Sequence, residues 1–347
     1  MTTRHPDGGG ATTRAGGRPR LLVLRALGLG DLLTAVPALR ALERAFPGHS
    51  LELAAPAGLA DAAAATGAVD RLLPVEAPGR AVPERIPWFG EPPELAVDLH
   101  GNGPESRDLL AALRPGRLLA YHGGPVAWRE REHERARWCR LLSGHGIPAD
   151  PDDLRLPPPG GRPSPAPGAV LLHPGADAPA RRWPPERFAA VARALRRRGE
   201  RVVVLAGPGE EHLAQRVARD GRTGDDPTPL IVACPPWAVL ARLVAEARAL
   251  IAGDTGPAHL ASALGTPSVV LFGPVSPELW GPPERGGRHR ALWAPDDPEL
   301  PRPGDPHGAE PDPLLLRLTP DDVLAAFDTL PPAEPAVLRS PSEAGRR

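Results

Sequence analysis

The 347-residue chain contains no lysine, so all 41 of its Lys and Arg positions are arginine. Together with 49 prolines and 38 glycines, this is the bias a GC-rich genome imposes. It has a chemical consequence, because wherever a reaction would use a compact ammonium only a planar guanidinium is available. Cysteine is nearly absent too. Cys139 and Cys234 stand far apart with no C-x-x-C partner, which excludes a disulfide framework and a cysteine-built zinc site and leaves two buried free thiols as the expectation. There is no excess charge of either sign: 41 basic residues face 42 acidic ones for a formal net charge of -1. No overall field therefore recruits nucleic acid or an anionic membrane. Long apolar runs are also missing, and "MTTRHPDGGGATTRAGGRPR" at the N-terminus has no apolar core of a signal peptide. A cytoplasmic location is expected, with peripheral contact at the inner face of a membrane left open.

What is present is enough apolar material, 41% of the chain, to fill the cores of two ordinary domains. Residues 1–19 and 331–347 read as disordered tails, rich in Gly, Thr and Arg or in Pro, Ser and Arg. A proline-dense stretch, residues 151–168, reads as a stiff interdomain linker. Before it, in residues 20–150, "RLLVLRAL", "SLELAAP" and "LAVDLHG" read as strands and "DLLTAVPALRALERAF" as a helix. After it, in residues 169–318, strands "AVLLHPG", "RVVVLAGPG" and "PLIVAC" alternate with helices "PPERFAAVARALRRRG", "EEHLAQRVARD" and "PWAVLARLVAEA". Residues 275–318 resist assignment, and "TPDDVLAAFDTL" predicts a last helix over 319–330 with Thr319 as its cap. The rhythm predicts an α/β protein of two Rossmann-like, parallel-sheet domains facing across a cleft.

In such sheets ligands sit at the carboxyl ends of strands, where helix N-termini favour anions. Four turns have that form. "GLGD" places Gly28 and Gly30 beside Asp31, which either caps the helix, worth about 0.5–2 kcal/mol, or serves as a general base at the cleft. "HPGADAPARRWP" carries Gly175 and the pair Arg181 and Arg182, either a solvated charge pair or a clamp for a diphosphate. "GPGEEH" offers Glu210 or Glu211 to a ribose, or simply an acidic first helical turn. In "GDTGPAH", Thr255 can cap a helix opened by Pro257, and Gly256 lets a ligand approach the backbone. There Asp254 can bind hydroxyls and His259 can donate to phosphate.

Together these segments resemble glycosyltransferase family 9, the ADP-heptose:lipopolysaccharide heptosyltransferase family, from about Leu21 to Leu330. "GLGDLLTAVPALRAL", "HPGA", "RRWPPERF" and "GDTGPAHLASALGTPSVVLFGP" carry the resemblance, with "VDLHGN" and "REHERARWCRLLSGHGIP" as further matching segments. It implies a GT-B fold and inverting, metal-independent sugar transfer from a nucleotide-diphosphate sugar, ADP-heptose foremost, to a saccharide or glycolipid acceptor such as lipopolysaccharide core. No cofactor is implied. Asp31 matches the family's catalytic base on an acceptor-side loop with Gly28 and Gly30. Arg181 stands where the family commonly has a lysine that neutralises the diphosphate. Asp254 matches the donor-sugar contact, and Thr255, Gly256 and His259 match the diphosphate turn, with Gly175 and Glu210 on the donor side. Closure of the domains is expected to bring Asp31 and Asp254 to one sugar. Consistent with the absence of a metal role, the one D-x-D, Asp150 to Asp152, lies in the linker region. The sequence leaves the oligomeric state open.

Two rivals stay open. The Gly28 and Gly30 turn with Glu52 imitates a dinucleotide fingerprint, implying an NAD-dependent oxidoreductase. Against it, Leu33 occupies the third glycine position and Asp31 would repel the pyrophosphate. The Arg181 substitution also admits a non-catalytic nucleotide-sugar-binding protein.

Overall fold

In the computed structural model, which describes residues 18–224 and 228–332, two all-parallel sheets carry the chain. The predicted tails fall outside the described residues except for Arg18, Pro19, Pro331 and Pro332. The first sheet holds β1 (Arg20–Leu24), β2 (Ser50–Ala55), β3 (Arg71–Pro74), β4 (Leu95–Asp98) and β5 (Arg117–Leu119), in the order β3-β2-β1-β4-β5. Its helices are α1 (Leu29–Ala45), α2 (Ala60–Ala65), α3 (Pro104–Ala111) and α4 (Glu134–Ser143). The second holds β6 (Val170–His173), β7 (Val202–Ala206), β8 (Leu230–Ala233), β9 (Ala249–Gly253), β10 (Ser268–Leu271) and β11 (His289–Leu292), in the order β11-β10-β9-β6-β7-β8. Around it lie α5 (Pro185–Arg197), α6 (Glu211–Asp220), α7 (Trp237–Ala245), α8 (Gly256–Leu264), α9 (Pro277–Trp280) and α10 (Pro320–Asp328).

The central strands read as unbroken apolar runs because helices cover both sheet faces. Leu21 and Val23 pack with Leu39, Val97 and Trp138 on one face, while Leu22 and Leu24 pack with Ala96 and Leu110 on the other. In the second sheet Val170 and Leu172 meet Phe188, Val217 and Phe327, and Leu171 and Val203 meet Leu243 and Leu260. Strands β3, β5 and β11 are not legible in the sequence because they are short edge strands with mostly half-exposed side chains. The last helix forms as predicted. Thr319 and Asp322 exchange a capping box, and Val323 and Phe327 seal the second core.

Two features fix how the sheets meet. The proline-rich stretch is pinned at both ends: Leu154, Leu156 and Ala166 are buried in the second core, and Asp153 accepts from Arg40 and Arg44 of α1. Helix α1 itself is two-sided. Leu32 and Leu39 face the first core, whereas Leu33 and Val36 belong to the second core beside α8. Each sheet also reverses its strand order once, between β1 and β4 and between β6 and β9. Those switch points are where α/β sheets open a crevice.

Candidate functional site

A cleft of about 480 Å³ opens at the carboxyl ends of both sheets. It is lined from the first domain by Gly28, Gly30, Asp31 and Arg80, and from the second by His173, Arg181, Glu210, Asp254, Thr255, Gly256 and His259. Four turns distant in sequence thus converge on one cavity.

Asp31 is not the N-cap of α1. The helix begins at Leu29, with Gly28 in an extended N-cap conformation, so Asp31 is its third residue. Its carboxylate reaches back to the Gly28 amide, 3.2 Å away, while its other oxygen takes 2.7 Å from Arg80. Arg25, fully buried at the end of β1, lies 3.5 Å from that second oxygen. Burial alone would raise the pKa of Asp31, but Arg25 and Arg80 outweigh it and hold the carboxyl below its ordinary value. Arg25 is in turn held by Glu134, which also accepts from Arg137 and Trp138. Arg80 carries no signal in the sequence: it sits in a short turn with a φ of 66°, a left-handed conformation unusual for a residue with a side chain. Asp98, at the end of β4 on the other flank of the first switch point, is buried and accepts from Ser106 and the His100 amide. Burial pushes its carboxyl up to about 6.

In the second domain Arg181 donates to the carbonyl of Asp254 at 3.1 Å and lies 3.6 Å from Asp177. Its neighbour Arg182 diverges to the Ala176 carbonyl, so the two arginines do not form one clamp. Glu210 turns inward. One oxygen accepts from the Gly207 amide at 2.7 Å and lies 3.1 Å from His173 Nε2. These contacts overcome burial and lower its pKa, with Arg182 assisting. Gly175 leaves room for the Glu210 carboxylate, which a Cβ there would approach to 2.0 Å and displace. Glu211 points elsewhere, taking the Cys234 thiol, so of the two glutamates Glu210 lines the cleft.

One local expectation needs correction. Thr255 occupies the N-cap position of α8, but its hydroxyl does not cap the helix; it lies 3.2 Å from His173 Nδ1 and 3.3 Å from the Gly253 carbonyl. His259 Nε2 lies 3.1 Å from Asp254 Oδ1. His173, absent from the residues the sequence points to, touches both Thr255 and Glu210 from the end of β6. The "HPG" turn after a buried strand was the available signal.

The two domains touch at this site. His259 packs against Gly30 so tightly that a Cβ at Gly30 would fall 2.7 Å from its ring. One turn away, a Cβ at Gly256 would meet Leu29 at 3.1 Å. The far side of the cleft is bridged as well, where Arg131 pairs with Glu278 and Glu299 and His133 contacts the Gly281 carbonyl. Trp280 of α9, between these bridges and the cavity, packs edge-on against His259.

Glu52 does not serve a ribose. It is buried on β2 in a two-pronged pair with Arg20, away from the cleft, which removes the acidic partner that a dinucleotide site needs. Cys139 is buried as expected, but Cys234 is exposed, with a φ of 44° at the end of β8, and lines the cavity. Asp150 accepts the Asp152 amide in a local turn, and among the described residues no three His, Cys, Asp or Glu side chains cluster as a metal site would require.

Residues 161–300 match the model of Glycosyltransferase family 9 (heptosyltransferase). Over 167 residues the chain is 31% identical to lipopolysaccharide heptosyltransferase 3 of Escherichia coli, covering 47% of each protein. Over 168 residues it is 32% identical to lipopolysaccharide heptosyltransferase 1 of Pseudomonas aeruginosa, covering 45% of this chain and 44% of that one. The matches span about half the length of these curated relatives. The fold is similar throughout to a glycosyl transferase family 9 structure from Veillonella parvula, with 19% identity and a TM-score of 0.68 over 90% of this chain and 96% of that one. It is also similar to E. coli ADP-heptose lps heptosyltransferase II, with 20% identity and a TM-score of 0.67 over 89% and 97%. The architecture is therefore GT-B, as the resemblance of the sequence implied.

Proposed function

We propose, from the premise that this chain belongs to glycosyltransferase family 9, that it transfers heptose or a related sugar from an ADP-sugar to a saccharide acceptor such as lipopolysaccharide core. The observation that carries this reading is the meeting of Asp31 with the Asp254–His259 pair on one cleft, across the contact between Gly30 and His259. The transfer is inverting and independent of metal. The acceptor hydroxyl gives its proton to Asp31 as its oxygen attacks the anomeric carbon, the bond from that carbon to the diphosphate breaks, and ADP leaves with the electron pair. A positioned base of this kind contributes about 10²–10⁴-fold.

The resting Asp31 is a weak base because Arg25 and Arg80 both hold its pKa down. Arg80 is partly exposed, at 33% of its side chain, so an incoming acceptor can displace it and relieve part of that hold, while the buried Arg25 stays. The charge developing on ADP is met by Arg181 and by the positive end of α8 at Gly256. Asp254 takes the donor sugar and Glu210 faces the ribose. In the first domain Gly28 and Gly30 flank Asp31 on the acceptor side of the cleft. The enzyme works in the cytoplasm, with its acceptor at the inner membrane face; no helix among the described residues is long and apolar enough to cross a membrane. The test is to incubate the purified chain with a panel of nucleotide sugars and acceptors. ADP release together with a new glycoside supports the reading, and binding of every donor without turnover, or preference for NADH, overturns it.

A further inference from the structure

One side chain on the cleft wall has no task in the transfer chemistry. Trp280, the last residue of α9, is the only Phe, Tyr or Trp that lines the cavity among the described residues, and it is partly exposed. Its polar end is unspent. Trp88, Trp138, Trp183 and Trp293 each donate the indole N–H to a protein oxygen at 2.8–3.0 Å, whereas the N–H of Trp280 has no partner among the described residues. An indole with an open apolar face and a free N–H suits a ligand that is apolar on its C–H surface and polar at its rim. A sugar ring is such a ligand.

The surroundings of Trp280 place it at the transferred sugar. Its ring lies 5.9 Å from that of His259, centroid to centroid, at 68°. The same imidazole meets Asp254 through Nε2 and packs against Gly30, beside Asp31. Trp280 therefore stands one ring away from both carboxylates. The backbone around it is fastened to the first domain on either side: Glu278 pairs with Arg131 at 3.0 Å, and the Gly281 carbonyl lies 3.0 Å from His133 Nε2. His133 Nδ1 accepts the Arg135 amide, so Nε2 carries the hydrogen and donates to Gly281. Leu279, between these ties, is buried. An aromatic face fixed in this way costs little ordering when a ligand lands on it. We propose that Trp280 is the platform for the donor's sugar, its indole packing against the C–H side of the ring while Asp254 takes hydroxyls. The inference rests on the reading that Asp254 receives the donor sugar.

Calorimetric titration of the full chain with ADP and with ADP-heptose, without acceptor, tests it. The parent protein should bind ADP-heptose more tightly than ADP. Trp280→Leu keeps apolar bulk but has no flat face, and should weaken ADP-heptose binding about tenfold, a step of about 1.4 kcal/mol, while ADP binding stays within about twofold. Trp280→Phe keeps a face and loses the N–H, and should recover ADP-heptose binding to within about threefold of the parent. A residue that only packs α9 would weaken both ligands alike, or would be replaced by leucine as well as by phenylalanine. Equal losses for ADP and ADP-heptose in Trp280→Leu, parent-like binding of ADP-heptose by that variant, or no recovery in Trp280→Phe overturns the role of Trp280 alone. So does a parent protein that binds ADP and gains nothing from the sugar. Failure of the parent to bind either ligand overturns both this inference and the donor reading. Should Trp280→Leu not fold, proton spectra of ADP-heptose bound to the parent and to Trp280→Phe decide: sugar C–H signals displaced upfield by different amounts in the two support the platform, and identical sugar signals overturn it.

Discussion

Gly30 of the first domain and His259 of the second are in such close contact that one added carbon on Gly30 would lie 2.7 Å from the imidazole. The contact links Asp31, next to Gly30 in the chain, with Asp254, the partner of His259. Gly30→Ala must push His259 aside or wedge the domains apart. Displacements of about an ångström at reacting groups cost on the order of 10²-fold, so transfer should fall by about that factor. The melting temperature should move little, because the strain lies at the rim and not in either core. Unchanged turnover would mean that the seam plays no part in assembling the site.

Asp31→Asn should lower kcat by about 10²–10⁴-fold while ADP affinity, measured by calorimetry, stays near that of the parent. The amide keeps the shape and still accepts from the Gly28 amide, but it cannot take a proton. A variant with parent-like kcat would remove Asp31 from the chemistry.

Arg80 offers a pH test with a definite sign. The folded-state pKa of Asp31 is lowered, so its ionised form stabilises the fold above the unfolded value near 4 and that stability is lost as pH falls through the lowered folded value. Arg80→Gln removes part of what lowers it, leaving Arg25, so the acid loss of stability should be smaller and should be complete at a higher pH. Thermal melts between pH 3 and pH 7 measure this; coincident curves for variant and parent would contradict the pairing.

Asp98 should behave in the opposite way. Its carboxyl is pushed up to about 6 by burial, so the neutral form suits the folded state and ionisation above about pH 6 works against it. Asp98→Asn keeps a partner for Ser106 and should stabilise the protein at pH 8 by roughly 2–3 kcal/mol, since each tenfold change in proton affinity between the unfolded and folded states is worth about 1.4 kcal/mol. The gain should shrink as pH falls from 6 to 4. A gain independent of pH would mean that burial of the charge is not its origin.

Arg181→Ala should lower kcat/KM for the donor by about 10²–10³-fold, the usual effect of losing one donor to developing negative charge. Arg181→Lys keeps the charge but cannot span both the Asp254 carbonyl and Asp177; it should retain more activity than the alanine variant. If lysine and alanine variants are equally impaired, the fork and not the charge is what the site uses.

The sequence alone carried the fold class, since long apolar strands and strongly patterned helices such as α5 and α6 depend on local periodicity. It missed β3, β5 and β11, where exposure erases the apolar pattern. It also carried the turns that approach the cleft, because glycines and helix-start residues act within a few positions of one another. What it could not carry were partnerships across distance. Arg80 reaches Asp31 across 49 positions, His173 reaches Thr255 across 82, and Glu52 is claimed by Arg20 across 32. Hydrogen bonds and charge pairs of that span depend on which strand ends the sheet order places side by side. So the residue types at the site were fixed by the chain, while the state of each, whether Asp31 weakened as a base, Thr255 drawn off its helix or Glu52 spent on a neighbour, was decided by the tertiary fold.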